Sequence, residues 1–302
     1  MSVLRASTNC VQEEQVGSIR LFLEDMSASK SPMIGVIIVL GVFLLVTCGP
    51  FVHGYSPTKL NIPDALHPPS LKHWFGTDSL GRDVFTRVLY GTRTSIVISF
   101  VGVFLGLTIG GLLGLLSGYY GGVLDDILMR GTDLLLAFPS YVLAVFLLVV
   151  LGYGMLNLMC AIGLIYVPIF ARLMRGLTRM IRAEQFVQAN RSLGMNDWQI
   201  MFAEILPNAT GPLIVQGTIG VAAAVILEAG LSFLGLGVQP PTVSLGIILA
   251  DGKDFLGRAP WVVSITGVFV SVMLLGFNLF GDGVRDYLDP KLARGIGGQG
   301  VR

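Results

Sequence analysis

The chain alternates long apolar runs with short polar stretches. A helix needs about 20 predominantly apolar residues to cross a bilayer. Met33–Val52 is the first such run, and Thr94–Leu116 is the second, with no charge in it. Leu134–Ala171 is uncharged for 38 residues. As one helix it would be roughly 57 Å long, far beyond the hydrocarbon thickness, so it is predicted to be two spans that turn at Gly152-Tyr153-Gly154. Ala209–Leu236 is interrupted only by Glu228, and Trp261–Phe280 closes the series. The pattern predicts an all-α integral membrane protein with six transmembrane helices, each satisfying its own backbone hydrogen bonds as lipid requires. Between spans, the proline-rich Gly54–Ser70 reads as an extended loop. Asp83–Tyr90 reads as a short amphipathic helix in the interface. Val238–Pro260 is a second long outer loop. Pro139 and Pro168 fall in spans and mark candidate kinks.

Composition agrees. Of 302 residues, 53% are hydrophobic and 13% charged, against about 25% charged in soluble domains. A net charge of +1 implies no bulk attraction to nucleic acid. The 39 glycines are spread among apolar residues, a distribution suited to close helix approach in membranes. Cys10, Cys48 and Cys160 form no CxxC pair or Cys/His cluster, so no metal site is expected. His53, His67 and His73 read as solvent-exposed loop residues. The first apolar run, which follows a tail containing Glu13, Glu14, Glu24 and Asp25, reads as a retained anchor rather than a leader. Val16–Met26 is a candidate surface helix on the inner leaflet. With both termini inside, inner segments hold 13 basic residues and outer segments seven. That bias favours N-in, C-in.

The stretch Arg172–Pro207 is too long for a simple turn between spans. Arg179–Leu193 lacks proline and glycine and reads as one helix. Gly194 fits a left-handed C-terminal position. Asn196, with Gln199 three residues on, reads as a capping box, and Leu206-Pro207 ends that second helix. The result is a helix–turn–helix knuckle. It is either a solvated amphipathic loop or a docking helix for a soluble partner. Elsewhere, Glu228 is an acid inside an apolar run, which is costly and marks either a pathway role or a structural pair. Asp282 and Arg285 are expected to cap the inner end of the last span.

Gln188-Ala189-Asn190, Gly194, and Leu206-Pro207 resemble the EAA loop of ABC-importer permeases, departing from it at Gln188, Asn190 and Glu204. Gly76-Thr77-Asp78-Ser79-Leu80-Gly81-Arg82-Asp83-Val84, continuing to Arg87, resembles the outer segment of the dipeptide/oligopeptide/nickel permeases. Gly121-Gly122, Asp125, Met129-Arg130 and Asp133, then Leu231-Ser232-Phe233-Leu234-Gly235-Leu236-Gly237 with Gln239-Pro240-Pro241, then Gly281-Asp282-Gly283 and Leu288-Asp289-Pro290-Lys291, fit the same family in order. Ser244-Leu245-Gly246 departs from it, since relatives commonly carry Glu-Trp-Gly there.

The resemblance implies a type I ABC-importer permease fold with a cytoplasmic coupling loop at 176–207. It implies one half of a translocation path for peptides, nickel or nickel chelates, or a related small solute. It implies a second homologous permease subunit in a heterodimer, two cytoplasmic ATP-binding subunits, a periplasmic or lipid-anchored substrate-binding protein, and residence in the cell inner membrane. The chain has no G-x-x-x-x-G-K-[ST] loop. It is therefore expected to be no enzyme, with no catalytic residue and no cofactor of its own, ATP being used by the partners. Gln188, Ala189, Arg191, Gly194, Leu206 and Pro207 are the coupling candidates. Ala189 and Gly194 would let the loop seat in an ATPase groove. Glu228 is the pathway or gate candidate, and Asp78, Arg82 and Asp83 are outer-face candidates. The expected division is a tail (1–31), a first span (32–52), an outer loop (53–93), a five-helix core (94–281) with an outer loop at 238–260, and a tail (282–302). An ion-coupled carrier built on Glu228 is disfavoured by the lack of two matching halves, and a membrane-embedded enzyme by histidines that all lie outside the spans.

Overall fold

The structure, a computed structural model, describes residues 30–288. The candidate surface helix Val16–Met26 and the Asp289-Pro290-Lys291 motif lie outside the described residues. Among the described residues the helices are α1 (Lys30–His53), α2 (Val84–Tyr120), α3 (Gly122–Leu136), α4 (Ser140–Leu151), α5 (Met155–Arg182), α6 (Gln185–Ser192), α7 (Asp197–Phe233), α8 (Leu245–Lys253) and α9 (Pro260–Leu288). Five of these, α1, α2, α5, α7 and α9, are long and apolar enough to cross a membrane alone.

Close contacts fix the relative directions. Gly102 of α2 meets Ile162, Gly106 meets Tyr166, Gly110 meets Val167, and Gly118 meets Thr178. Both numbers rise together, so α2 and α5 run parallel. Parallel neighbours need a connection that returns across the bilayer, and α3 with α4 supplies it. The third passage is bent at the candidate kink: α3 and α4 lie at 93° to each other, with Pro139 heading α4. At 12 residues, α4 is only about 18 Å long, so the crossing is shared with α3. Gly35 of α1 lies against Leu279 and Phe280, and Gly276 of α9 against Ile38, so α1 and α9 are antiparallel. Gly220 of α7 lies beside Val103 and Tyr166, while Leu245, just past α7, donates its N–H to Ser95, so α7 runs against α2. The described residues thus make six passages, counting the bent α3–α4 pair as one, and the start of α1 and the end of α9 share one face.

The apolar surface is turned outward as lipid demands. Phe100, Phe104, Phe146, Val149 and Val268 are exposed, while a core of Ile98, Leu148, Leu158, Ile162, Phe170 and Met174 is sealed between α2, α4 and α5. A second core joins α1, the start of α2, α8 and α9 through Val84, Val88, Leu245, Ile248 and Val262.

Several local expectations are corrected. Asp83–Tyr90 is not a separate interfacial helix. Asp83 caps α2, accepting from the Thr86 N–H at 2.8 Å, and Val84, Arg87 and Val88 are buried in the first turns of that 37-residue helix. No breaker separates those turns from the apolar run, and the polar face finds buried partners. The segment 54–83 is a folded cap rather than an extended loop. Leu66 N–H donates to Asp78, Thr77 N–H to His67, and Asn61 N–H to Leu80. His73 is buried inside that cap rather than exposed. The loop 238–260 contains α8, capped by Ser244. Asp282 and Arg285 lie within the last turns of α9 rather than at its cap.

Candidate functional site

One candidate site lies where α5 leaves the apolar zone. The expected single helix Arg179–Leu193 is broken: α5 ends at Arg182, and Glu184 takes an extended conformation before α6. Gln188 bridges the break, its side-chain amide donating to the Arg182 carbonyl at 2.9 Å. On α6, Val187 is the inward anchor, packed with Ile200, Met201 and Ile205. Gln188, Ala189 and Arg191 face outward on the same short helix. Gly194 ends it at φ +89°, the left-handed region where a side chain is strained, and the Met195 N–H closes the turn on Asn190 at 3.2 Å.

The capping box forms as the spacing predicts. Gln199 N–H donates to the Asn196 side chain at 2.8 Å, and Asn196 N–H donates to the Gln199 side chain at 3.1 Å. Leu206-Pro207 does not end the second helix, which continues as α7 to Phe233. Pro207 lacks an N–H and its ring would collide with the carbonyl four residues back. The helix widens to a π turn over Ile200–Ile205 instead. Asn208 donates its amide to the Glu204 carbonyl at 2.6 Å. Gln188, Ala189, Arg191 and Gly194 belong to the exposed knuckle, and Leu206 and Pro207 lie inside α7, just past its π turn. Beside the first four, Phe186, Leu193, Trp198 and Phe202 are exposed, with Trp198 stacked on Phe202 at 5.9 Å.

A polar lattice fastens this knuckle to the bundle. Tyr119 donates its hydroxyl to Asp197 at 2.6 Å. Arg182 donates to the Tyr119 carbonyl and lies 5.1 Å over the Tyr119 ring. Buried Asp125 of α3 accepts two bonds from Arg175, at 2.6 and 2.5 Å, and one each from Arg179 and Ser117. Charge-assisted bidentate bonds of this kind are the stronger class. Tyr119 and Asp197 are 78 positions apart, and no pattern along the chain links them.

A second candidate site lies at the opposite face. Asp78 accepts Arg82 Nε at 2.6 Å, Arg87, and the N–H groups of Leu80 and Arg82, both at 2.9 Å. Asp251 of α8 accepts both arginines at 2.9 Å. Asp78, Asp83 and Arg87 are buried, and Arg82 is partly exposed. Asp83 also accepts from or shares a proton with His73 Nδ1 at 2.9 Å. His73 Nε2 lies 3.5 Å from Asp64, whose carboxyl is held below its ordinary range by the hydrogen bond from Lys72. Arg87 belongs to the outer-segment motif, whereas Asp251 carries no signal that singles it out in the sequence.

Glu228 lies on neither site. It is fully buried on α7 and accepts the Ser232 hydroxyl at 2.6 Å, with Ser95 and Ser244 close by. It thus sits where α2, α7 and the start of α8 meet. Gly91 and Gly246 keep that junction tight: a β-carbon at Gly246 would lie 2.3 Å from the Ala229 carbonyl oxygen.

Comparison with known proteins places these features in a family. Residues 110–294 match the model of the binding-protein-dependent transport system inner membrane component. The chain is 40% identical over 281 residues to the dipeptide transport system permease protein DppC of Alkalihalophilus pseudofirmus, covering 93% of this chain and 92% of that protein. It is 37% identical to the oligopeptide transport system permease protein OppC of Bacillus subtilis, covering 96% of each. Among solved structures, an inward-facing MetNI methionine ABC transporter superposes with a TM-score of 0.55 at 20% identity, over 67% of this chain and 96% of that one. That likeness supports the fold.

Proposed function

The chain belongs to the inner membrane components of binding-protein-dependent transport systems, and from that premise we propose that it carries peptides as one half of an ATP-driven importer. It is a multi-pass membrane permease. The peptide assignment follows its relatives, a dipeptide and an oligopeptide permease over nearly their whole length. In this reading the knuckle is the cytoplasmic coupling element, so both described chain ends face the cytoplasm. One of two cytoplasmic ATPase subunits that use the ATP docks there, a second homologous permease completes the pathway, and a binding protein delivers substrate at the opposite face. Nickel or a nickel chelate is the alternative cargo within the family.

The observation that carries this reading is the exposed knuckle itself. Four large apolar side chains, Phe186, Leu193, Trp198 and Phe202, stand exposed on the segment that also carries the exposed Arg191. Such a cluster at an aqueous face marks an interaction surface, and a rigid short helix fits helix-in-groove docking. The Tyr119–Asp197 and Asp125 bonds make it a lever, since a push on α6 is passed to α2, α3 and α5. At the far face, the Asp78–Arg87–Asp251 lock and the buried Glu228 hold α8 closed over the ends of α2 and α7. We assign Glu228 as a gate residue that becomes accessible when α8 moves.

The test is purification of this chain from native membranes. A second permease and ATPase subunits are expected to copurify, with ATP hydrolysis stimulated by a peptide-loaded binding protein. A chain that purifies alone and moves solute under an ion gradient overturns the reading. A companion prediction concerns Gly194. A β-carbon there meets no neighbouring atom, so the cost is backbone strain, about 1–2 kcal/mol for a β-branched residue. Gly194→Val is expected to reduce coupled transport more than tenfold, about 1.4 kcal/mol at the docking step per factor of ten, while membrane insertion persists. Gly194→Asn, which tolerates φ > 0, is expected to retain most of it. Equal transport by both variants would remove Gly194 from the coupling role.

A further inference from the structure

The lattice beside the knuckle leaves a cavity. Its volume is about 330 Å³, and it is lined by Gly118, Gly121, Arg179, Arg182, Ala183 and Gln188. That size lies in the range of small-molecule sites. Three features define its chemistry. First, its charge is positive. Its only charged lining residues are Arg179 and Arg182, and Arg179 shares the carboxylate of Asp125 with Arg175. Arg182 has no carboxylate partner among the described residues, being held only by the carbonyl and ring of Tyr119. Second, the wall opposite the arginines is bare backbone: Gly121, at φ +69°, has open space where a side chain would stand. Third, it lies where the apolar helices end. It is lined at the ends of α2 and α5, near the exposed Tyr120, and aromatic side chains favour the membrane interface.

Guanidinium groups in a fork present paired N–H donors that match phosphate oxygens. We propose that this cavity binds a phosphate group, presented by an anionic phospholipid of the cytoplasmic leaflet. The negative potential of that leaflet concentrates such headgroups there. Because Ala183 and Gln188 line the cavity, a bound phosphate bridges the end of α5 to the root of the coupling helix and stiffens the hinge at Ala183-Glu184. The importer's activity would then depend on anionic lipid. The proposal rests on the cytoplasmic placement of the knuckle given above.

The experiment uses the whole importer, copurified and reconstituted in nanodiscs of mixed phosphatidylglycerol and phosphatidylcholine. Retained lipid is then read by native mass spectrometry. Wild type is expected to retain phosphatidylglycerol preferentially, and each arginine to contribute about fivefold, the usual worth of a basic residue at a charged membrane surface. Arg179→Gln with Arg182→Gln is expected to abolish the preference. Arg179→Gln alone, at a half-exposed side chain whose loss leaves the Arg175–Asp125 pair in place, is expected to reduce it. Arg130→Gln, an exposed arginine outside the cavity, is the control and keeps it. Addition of inorganic phosphate separates the sources. Retention that survives millimolar phosphate supports the lipid, whereas its loss reassigns the site to free phosphate. Equal retention of both lipids by wild type, or an unchanged preference in the double variant, overturns the proposal. Recovery of the ATPase subunits in the same preparation shows independently whether the importer reading holds.

Discussion

Asp78→Ala will cost the permease about 3–5 kcal/mol of stability, the usual penalty for stripping one partner from a buried ion pair. Asp78 binds two arginines and two backbone N–H groups at once. Removing it strands Arg87, whose side chain is 2% exposed, with only the partly exposed Asp251 as counterion. It also frees the N–H groups of Leu80 and Arg82, so the cap loses its turn and its anchor to α2 together. Asp78→Asn keeps an acceptor for the backbone but removes the charge, and is expected to cost less. Asp251→Asn should cost least of the three, because water screens a carboxylate that is 35% exposed. Chemical denaturation in detergent, followed by tryptophan fluorescence, reports the order. Trp74 and Trp261 sit in or against the cap, and Trp261 donates its indole N–H to the Thr77 carbonyl. If Asp78→Ala and Asp251→Asn prove equally mild, the lock is not what holds the cap.

The second large effect is expected at the α2–α5 crossing. A β-carbon at Gly110 would lie 2.3 Å from the Val167 carbonyl oxygen and 3.0 Å from the Ala171 nitrogen. At Gly114 it would lie 2.3 Å from the Ala171 carbonyl oxygen and 2.8 Å from the Arg175 nitrogen. These neighbours are backbone and cannot turn aside as a side chain would. Gly110→Val is therefore expected to destabilise by about 3 kcal/mol, the upper end of the overpacking range, and to abolish transport by driving the helices apart. Separation at this point also pulls Arg175 and Arg179 away from Asp125. Gly111→Ala, one residue along and facing open space, is the control. Its better helix propensity should leave stability unchanged or raised by up to about 1 kcal/mol. Thermal stability in detergent and transport in proteoliposomes read both. A tolerated Gly110→Val would mean that α2 and α5 are not in backbone contact.

Glycine recurs at every fourth position along α2, at 102, 106, 110, 114 and 118. That spacing puts one bare face along a helix and is a sequence-level signal of close packing. General glycine content pointed to close approach, but the spacing is what identifies the face, and only the structure shows α5 lying on it. The knuckle was legible in the same graded way. Asn196 with Gln199 and Gly194 are local devices whose partners lie within a few residues, and all three form as their spacing predicts. The break at Ala183-Glu184 and the passage of Pro207 into α7 were not legible. The first depends on Val187 finding Ile200 and Met201, the second on a π turn that absorbs the proline.

The sequence by itself determined the class of the protein. Apolar run lengths set the helix count to within one bent pair, because a backbone in lipid must satisfy its own hydrogen bonds. Ordered motifs placed the chain in its family, and local caps set the turns of the knuckle. The tertiary structure decided what depends on distance in space. It gave Arg87 a second carboxylate from Asp251, 164 positions away, and tied Tyr119 to Asp197. It enclosed Glu228 among serines from three elements and gathered Arg179 and Arg182 around one cavity. Hydropathy and capping act over one turn of helix and are written along the chain. Ion pairs and backbone approach between distant segments exist only once the helices have packed.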